Sequence, residues 1–425
     1  MRRSALADGE PRLRLLHLAP FAPRLDDVHG GGRVLAQLVA RLAARHDVAL
    51  LCIRGEDEPP VDEVLRERCQ LVEEFVPARR KSFRPARLWQ RLGATLSRLR
   101  GIPGWVAHRH MPAFQARVQE VVRGSRPDVV QLEFHVMGQY LPALNGCSAP
   151  RVLNQYEPGA LAARHVWERS ASAARVRTYL DLLAWRRYER RVVRAVDAIV
   201  VFTEQDRQAM ESYAAHPPIV TIPFGTVLPQ EALSPAGHPP PSIVFVGNYG
   251  HPPNVDAAVR LVRGIFPLVC QRCPEAVLYL VGANPPAALL EAAAPNVVVT
   301  GYVPDLTQYV DRAAVVVAPL RHGGGMRVKV LEALAAGKAV VASPLAALGI
   351  AVSSGDQLVL AESDQEFSHQ ILQLLDNPGE RAALAARARA WALTELGWER
   401  PVRAYEDLYR DLMAQRKARP PGGWH

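Results

Sequence analysis

The stretch that decides the fold is Ala314–Ser343, AVVVAPLRHGGGMRVKVLEALAAGKAVVAS. Its first part, AVVVAPL, is a short β-rich apolar run, which predicts a buried strand. The segment RVKVLEALAAG (327–337) has the apolar spacing of a helix and ends at Gly337, and KAVVAS (338–343) is a second β-rich run. The stretch therefore predicts strand, glycine turn, helix and strand, the unit from which parallel sheets are built.

The same alternation of strands and helices extends over the rest of the chain. Short apolar runs recur between helical segments, as in DVVQLEF (128–134) and SIVFVG (242–247). The Pro-rich stretch PQEALSPAGHPPP (229–241) interrupts the alternation and has the composition of a linker. Two such series joined by a linker predict an α/β fold with two doubly wound, Rossmann-like domains that face each other across a cleft.

Composition also sets the expected domain boundaries. We expect one domain over residues 1–230, a second over residues 231–398, and a C-terminal helix and tail over residues 399–425. The last helix places Val402, Tyr405 and further apolar residues on one face, so it needs a surface to pack on. We expect this helix to return to the first domain.

The chain is basic, with a net charge of +9 over 425 residues, and this excess favours an anionic partner. No apolar run approaches the ~20 residues of a membrane span. The N-terminal segment is too short in its apolar part and too charged for a secretory signal, so a cytoplasmic location is expected. The pair Cys270 and Cys273 lacks the second pair that a zinc site needs, which favours free thiols.

One part of the first domain is strongly basic, since residues 79–110 contain nine Lys and Arg and no Asp or Glu. Within it a helical stripe of leucines runs beside a row of arginines: Leu88, Leu92, Leu96 and Leu99 beside Arg84, Arg87, Arg91 and Arg98. A helix lying on an anionic membrane has this pattern, and so does a core-facing helix with a solvated basic edge. Nucleic acid is not an expected partner, because no aromatic platform accompanies the charge.

The glycine turn Gly323–Gly325 lies between the carboxyl end of a predicted strand and the start of a predicted helix. Helix N-termini present unpaired N–H groups, and glycine lets a ligand approach them closely. Arg327 and Lys329 add positive charge, so the segment suits a phosphate or diphosphate. Glu332 lies about two turns into the helix, where a carboxylate suits ribose hydroxyls. The alternative is a glycine-rich turn with solvated basic residues.

Four longer segments resemble the GT-B glycosyltransferases, specifically the family-4 (group 1) enzymes that use nucleotide-sugar donors. They are GGGRVLAQLVARLAARHDVALL (30–51), YERRVVRAVDAIVVFTEQDRQAM (188–210), IVFVGNYGHPPNVDA (243–257) and APLRHGGGMRVKVLEALAAGKAVVAS (318–343). The resemblance covers nearly the whole chain, and its C-terminal half is the more specific. It implies a first domain that binds the acceptor and a second that binds the nucleotide sugar.

Two departures from the family pattern concern the donor site. The family often places two glutamates eight positions apart in the signature loop, and Glu332 matches the second whereas Gly324 stands at the first. The family also often carries an arginine and a lysine after the Val-Gly that follows the linker, and GNYGHPPN (247–254) has neither. On the resemblance, Arg327 and Lys329 supply the charge for the diphosphate, and backbone groups of the loop, including Gly325, contact the sugar.

The resemblance places further residues at the donor. Gly31 and Gly32 match the family's glycine turn in the first domain, although a simple helix-start turn is the alternative. Gly247 and Tyr302 each end a predicted strand of the second domain and are expected to bind the donor. His135 matches a family histidine near the donor sugar.

The catalytic residues expected from these matches are His135, Arg327 and Lys329. A lone histidine is often structural, and Glu133 is the alternative to His135. Glu157, which follows the next predicted strand, is a second acidic residue expected to face the cleft.

The leading prediction is a retaining glycosyltransferase that moves a sugar from a nucleotide-sugar donor to a hydroxyl of a saccharide or lipid-linked acceptor, in polysaccharide or glycolipid biosynthesis. No paired carboxylates stand at a defined spacing, and the resemblance implies front-side attack by the acceptor hydroxyl. The chain has no D-x-D motif, so neither a metal nor another cofactor is expected. The alternatives are a nucleotide-sugar epimerase or phosphorylase on the same fold, and a catalytically inactive scaffold on the inner face of the membrane.

Overall fold

A computed structural model describes residues 11–26, 30–56, 58–77, 96–168, 170–213, 217–323 and 327–418. Contacts divide the chain into two compact units. The first comprises Met1–Leu25, Gly31–Pro223 and Pro401–His425, and the second comprises Asp26–Gly30 and Phe224–Arg400. The main breaks follow Pro223 and Arg400, whereas the sequence predicted boundaries after residues 230 and 398.

The first unit is built on a parallel sheet. Its strands are β1 (Arg14–Ala19), β2 (Asp47–Ile53), β3 (Leu71–Phe75), β4 (Val129–Glu133), β5 (Arg151–Asn154), β6 (Ala198–Val201) and β7 (Ile219–Thr221). Their order is β3-β2-β1-β4-β5-β6-β7, the doubly wound arrangement. Strands β4 and β6 are buried along their whole length, because helices cover both faces of the sheet. This burial explains why the sequence shows continuous apolar runs rather than alternation.

The helices of the first unit follow its strands in the expected order. They are α1 (Gly30–Arg45), α2 (Glu63–Arg68), α3 (Gly104–His108), α4 (Pro112–Ser125), α5 (Gly159–Glu168), α6 (Ser172–Val193) and α7 (Glu204–Glu211), with a 3₁₀ helix at His135–Leu144. Residues 96–99 also form a helical turn. Helix α6 is 22 residues long and has arginines in its last turn, Arg190 and Arg191.

The second unit repeats the architecture with a second parallel sheet. Its strands are β8 (Ser242–Val246), β9 (Val277–Val281), β10 (Val297–Gly301), β11 (Val315–Ala318), β12 (Ala339–Ala342) and β13 (Val359–Leu360). Their order is β10-β9-β8-β11-β12-β13, so the strand order reverses between β8 and β11. Two Rossmann-like sheets of this kind confirm the predicted fold class.

The helices of the second unit are α8 (Pro252–Arg260), α9 (Phe266–Cys270), α10 (Ala287–Leu290), α11 (Thr307–Arg312), α12 (Val328–Ala335), α13 (Pro344–Ala347), α14 (Asp364–Asp376) and α15 (Pro378–Glu395). A π-helical turn, Leu261–Ile265, joins α8 to α9. Helix α14 begins at a capping box in which Ser363 and Glu366 satisfy each other's backbone N–H groups. Among the helices that the structure describes, none is long and apolar enough to cross a membrane.

The sequence predicted the buried strands but missed the edge strands β3 and β13. Strand β3 reads LVEEF and is only half-buried along its length. Its two glutamates form ion pairs, Glu73 with Arg117 at 2.6 Å and Glu74 with Arg54 at 2.7 Å. Charged side chains on an edge strand hide the apolar pattern by which a strand is recognised in the sequence.

The last helix, α16 (Glu399–Ala418), lies on the first sheet. The hydroxyl of Tyr405 donates to Oδ1 of Asn154 at 3.1 Å, and the hydroxyl of Tyr409 donates to Oε1 of Gln131. Further along, Arg416 forms an ion pair with Asp197 at 2.7 Å. These contacts are made by the face that the sequence marked as apolar, and they tie the end of the chain to its first unit.

A buried lysine holds the Pro-rich stretch against the second unit. The side chain of Lys338 is fully buried, and its Nζ donates to the carbonyls of Ser234 and Asp311. Burial lowers the pKa of Lys338 to about 8, while the charge of Asp311 opposes this shift. The residues of the predicted linker are therefore packed on the second unit by specific hydrogen bonds.

Candidate functional site

The candidate donor site lies where the strand order of the second sheet reverses. Gly247 directly follows β8, and the glycine turn follows β11, the neighbouring strand. Ligands of doubly wound sheets bind outside the carboxyl ends of strands at such a reversal. The topology thus brings together two glycine segments that are about 76 positions apart in the sequence.

The ends of β8 and β9 approach each other so closely that the residue after β9 must be glycine. Gly282 has φ +144°, and a Cβ atom on it would lie 2.0 Å from the carbonyl oxygen of Gly247. The N–H of Gly247 in turn donates to the carbonyl of Val281 at 2.9 Å. A side chain at position 282 would push the ends of β8 and β9 apart, so glycine there fixes the floor of the site.

Arg327 contacts Gly323, the first residue of the glycine turn. Its Nη2 donates to the carbonyl of Gly323 at 2.7 Å, and the side chain is buried. Gly323 itself has φ +113°, a conformation that favours glycine. Gly324 and Gly325 lie outside the residues that the structure describes. Arg327 therefore acts on the backbone of the loop in this structure.

Lys329 reaches toward the end of β8 from the first turn of α12. Its Nζ donates to Oδ1 of Asn254 at 2.6 Å and lies 4.4 Å from the ring centroid of Phe245. Asn254 in turn donates through Nδ2 to the carbonyl of Asn248 at 2.8 Å. An amide and an aromatic face thereby hold the cation. Asn254 also packs on Gly247, since a Cβ atom on Gly247 would lie 3.0 Å from Cγ of Asn254.

The remaining predicted residues of the second unit are not all at this point. Glu332 lies three residues after Lys329, on the same side of α12, and is half-buried. Tyr302 follows β10, two strands away from β8, and 59% of it is exposed. The structure groups Gly247, Gly323, Arg327 and Lys329 at the reversal point and leaves Tyr302 at the periphery of the sheet.

Sequence reasoning missed the amides that surround Gly247. Asn248 is buried, and its Oδ1 accepts hydrogen bonds from the N–H of Gly250 at 2.9 Å and from Asn284 at 3.2 Å. Asn254 holds Lys329 as described. In the sequence these two asparagines flank YGHPP (249–253) after the strand, where the family pattern has cations.

In the first unit, Gly31 and Gly32 form the first turn of α1. A Cβ atom on Gly31 would lie 3.3 Å from Cζ of Phe134, so the helix start packs closely on this aromatic ring. Phe134 has φ +65° and stacks on Tyr156 at 3.9 Å between ring centroids. Positive φ is strained for a bulky residue, and it turns the chain sharply between β4 and the 3₁₀ helix that His135 begins.

His135 lies between two tryptophans. Its ring makes edge contacts with Trp105 at 5.5 Å and Trp185 at 4.6 Å, and only 4% of the residue is exposed. Nδ1 lies 3.2 Å from Oε1 of Gln155. Burial lowers the pKa of His135 to about 4, and hydrogen bonding to Gln155 and to the backbone of Glu157 opposes this shift only in part. The imidazole is therefore neutral at physiological pH.

The two acidic alternatives to His135 have different surroundings. Glu133 is fully buried and accepts hydrogen bonds from Asn154 at 2.9 Å and from Tyr156 at 3.2 Å, while Nδ1 of His17 lies 3.0 Å away. It belongs to the core of the sheet. Glu157 instead lines the same cavity as His135. The structure thus places Glu157, and not Glu133, beside His135 at an accessible surface.

A further buried acid, Glu189, organises this region and was not identified from the sequence. It accepts hydrogen bonds from Gln155 at 3.1 Å and from the N–H groups of Gly159 and Ala160, the first residues of α5. Burial raises the pKa of Glu189, although these donors stabilise its charged form. Glu189 therefore fixes the loop that carries Glu157.

Among the described residues, no group of three or more His, Cys, Asp or Glu side chains is placed to hold a metal ion. Cys270 and Cys273 lie at and just beyond the end of α9, and burial raises the pKa of Cys273 to about 11. A thiol with such a pKa is a poor nucleophile and a poor metal ligand at neutral pH.

Solved structures share this two-sheet architecture. Sucrose-phosphate synthase from Thermosynechococcus elongatus is 16% identical, with a TM-score of 0.69 over 95% of this chain and 100% of that one. HepE from Anabaena, solved with UDP and glucose, is 14% identical, with a TM-score of 0.65 over 94% and 100% of the two chains. WaaG, a glycosyltransferase involved in lipopolysaccharide biosynthesis, is 15% identical, with a TM-score of 0.58 over 93% and 99%. The fold is GT-B.

Both halves of the chain match sequence families of one kind. Residues 28–228 match "Glycosyltransferase Family 4", and residues 240–377 match "Glycosyl transferases group 1". The chain belongs to the group 1, family 4 glycosyltransferases, as the signature segments indicated.

Two relatives found by sequence match over only part of this chain. An uncharacterized protein of the cps region of Klebsiella pneumoniae is 22% identical over 32% of this chain and 37% of its own length. An uncharacterized glycosyltransferase of Methanocaldococcus jannaschii is 28% identical over 21% of this chain and 24% of its own length. The matched parts thus span about a third of one relative and a quarter of the other.

We predict that His135 stays neutral as the protein is acidified. Because its pKa is lowered to about 4, the unfolded chain takes up a proton at higher pH than the folded protein does, so stability is lost as pH falls from ~6.5 toward 4. Between about pH 7.5 and about pH 5, the unfolding free energy of the parent should decrease by ~2 kcal/mol more than that of His135→Gln. Urea unfolding and NMR of ¹³C-labelled histidine check this. A His135 signal that titrates near pH 6.5 would contradict it.

Proposed function

We propose that the chain is a retaining glycosyltransferase that moves a sugar from a nucleotide-sugar donor to a hydroxyl of a saccharide or lipid-linked acceptor, in polysaccharide or glycolipid biosynthesis. The observation that carries the proposal is the position of Lys329. Its ammonium group is held by Asn254 and Phe245 beside Gly247, next to a glycine turn at the reversal point of the second sheet. HepE, which shares the fold, was solved with UDP-glucose.

The chemistry at this site is charge stabilisation. When the bond between sugar and diphosphate breaks, negative charge develops on the leaving diphosphate. Lys329 and the N-terminus of α12 supply positive charge there, and Arg327 holds the carbonyl of Gly323 so that the turn keeps its shape. In this proposal Glu332, further along α12, accepts hydrogen bonds from the ribose hydroxyls.

We propose that no protein nucleophile takes part and that the acceptor hydroxyl attacks the sugar from the side on which the diphosphate leaves. The departing phosphate oxygen then accepts the proton of that hydroxyl. His135 is neutral, so it adds a hydrogen-bonding group near the sugar without adding charge. Metal is not required in this scheme, since cationic residues and a helix N-terminus stabilise the diphosphate.

The first experiment measures binding and turnover separately. Isothermal titration with UDP, GDP, ADP and CDP tests the nucleotide site, and release of diphosphate from a panel of nucleotide sugars, with and without saccharide acceptors, tests transfer. Both are run in EDTA. An inactive scaffold would bind no nucleoside diphosphate, an epimerase would interconvert sugars without an acceptor, and a strict need for added Mn²⁺ would contradict the metal-free scheme.

Removing the cation of α12 should slow transfer strongly. Lys329→Met eliminates one charged donor to the leaving diphosphate, which typically costs ~2–4 kcal/mol of transition-state stabilisation, or about two to three orders of magnitude in turnover. Arg263→Met is the matched control. Arg263 is exposed in the π-helical turn, and its substitution removes one positive charge from the same unit. Equal turnover of Lys329→Met and the control would exclude the diphosphate role.

Glu332→Gln should separate ribose binding from phosphate binding. A neutral amide accepts hydrogen bonds from ribose hydroxyls more weakly than a carboxylate, so affinity for the preferred nucleoside diphosphate should fall by roughly tenfold. Inorganic diphosphate has no ribose, and its affinity should not fall. Titration calorimetry with both ligands measures the difference, and equal losses for the two would refute the ribose role.

We also propose that the basic segment of the first domain docks on anionic membrane. Leu88, Leu92, Arg84, Arg87 and Arg91 lie outside the residues that the structure describes. Leu96 and Leu99 are exposed by 52% and 58%, which suits an apolar contact with lipid. Arg98, in contrast, forms an ion pair with Asp181 at 2.8 Å, so it is engaged with the protein.

The membrane proposal predicts charge-dependent binding to vesicles. Each basic residue near an anionic surface contributes about 1 kcal/mol, so Arg87→Glu with Arg91→Glu should abolish binding to phosphatidylglycerol vesicles in a flotation assay. Binding of the parent should weaken as salt shortens the screening length to ~8 Å. Arg186→Glu with Arg190→Glu, on exposed positions of α6, is the control. A parent protein that does not bind these vesicles would rule out the idea.

A further inference from the structure

The first unit contains a cavity beside His135, and the proposed donor chemistry uses no other residue of its lining. It has a volume of about 300 Å³ and lies beside α3, α5 and α6, and its lining includes Trp105, His135, Glu157, Asp181 and Trp185. This volume is at the lower end of the range for ligand pockets, which is ~300–1,000 Å³. It suits one ring-sized group rather than an extended ligand.

Aromatic rings form one side of the cavity. The centroids of Trp105 and Trp185 are 6.2 Å apart, and both rings contact the ring of His135. Trp185 is buried, whereas 42% of Trp105 is exposed. An exposed indole at the rim of a cavity offers a flat apolar face at low cost in side-chain entropy when a ligand covers it.

The cavity is rigid because its walls are fixed by hydrogen bonds and close packing. A Cβ atom on Gly159 would lie 2.6 Å from Trp185, so the start of α5 rests directly on this indole. Asp181 accepts hydrogen bonds from the N–H of Gly104 at 3.1 Å and from Nε of Arg98 at 2.8 Å. Gly104 begins α3, and this contact therefore positions Trp105, the next residue.

Oxygen acceptors complete the lining. Glu157 and Asp181 bring carboxylates, and Thr178 brings a hydroxyl, to a cavity whose other walls are apolar. A pyranose ring matches this combination, because its C–H face packs on an indole while the hydroxyls at its edge donate to carboxylate oxygens. A hydrocarbon chain would cover the indoles but would use none of these oxygens.

We propose that this cavity binds one pyranose ring of the acceptor, stacked on Trp105 and hydrogen-bonded through a hydroxyl to Glu157. Identifying the bound sugar as an acceptor rests on the proposed transferase function. All residues that line the cavity belong to the first unit. It assigns a saccharide, rather than the lipid portion of a lipid-linked molecule, to this surface.

The test uses free sugars as probes. Methyl glucoside, methyl galactoside, methyl mannoside and N-acetylglucosamine are examined at millimolar concentration by saturation-transfer NMR on the full chain. At least one should bind the parent, and Trp105→Ala should weaken its binding by about tenfold. Trp167→Ala is the matched control, because Trp167 lies on α5 but packs against Tyr179 at 5.4 Å, away from the lining.

Glu157→Gln supplies a second variant in case Trp105→Ala disturbs folding, and it too should weaken sugar binding. Three results would overturn the proposal: no sugar binds the parent, both variants bind like the control, or octyl tetraoxyethylene, an alkyl probe without a sugar, displaces the bound sugar as well as octyl glucoside does.

Binding of nucleoside diphosphate is measured on the same samples by calorimetry. Sugar binding that persists without nucleotide binding would support the cavity and contradict the transferase. Nucleotide binding without sugar binding would contradict the cavity alone.

Discussion

The first unit depends on a buried carboxylate. Glu133 ends β4 with no exposed surface. His17 of β1, Asn154 of β5 and Gln131 of β4 itself converge on its carboxylate. A buried charge left without such partners would cost several kcal/mol, so β1, β4 and β5 must end in register around it. The same amides receive Tyr405 and Tyr409, which is why the last helix of the chain packs on this sheet. Immediately after Glu133 the chain turns through Phe134 into His135. The buried position of Glu133 therefore also sets the position of His135.

In the second unit, the close approach of two glycines, rather than a buried carboxylate, fixes the ends of the central strands. At the end of β8, Gly282 lies against the carbonyl of Gly247, and no side chain could stand between them. Positive charge reaches this bare backbone from the neighbouring strand–helix connection, through Lys329 and the loop that Arg327 holds. Because α12 follows β11, and β11 pairs with β8, the cation and the glycines meet without any direct link in sequence. The proposed donor site takes its positive charge from this connection, since the segment 247–254 has neither lysine nor arginine.

Several site residues could be predicted because their signal is local. A strand, a glycine turn and a helix can be recognised within Ala314–Ser343, and the structure has β11 and α12 on either side of that turn. Asn248 and Asn254 carried no such signal, since an asparagine after a strand is common in turns. Arg327 and Lys329 looked equivalent in the sequence, yet one is buried against a carbonyl and the other reaches an amide on α8. Trp105 and Trp185, about 80 positions apart, gave no sign that they line one cavity.

The sequence by itself determined the fold class, because buried parallel strands require continuous apolar runs and such runs are visible residue by residue. It also predicted a phosphate site at the glycine turn, because glycines and two cations before a helix are a local pattern. The tertiary structure alone decided which polar residues are core and which are accessible. Glu133 and Glu157 both end apolar strands in the sequence, but one is enclosed by three strands and a returning helix and the other lines a cavity. The burial of a side chain depends on neighbours that are distant in the chain, and a local sequence pattern carries no information about them.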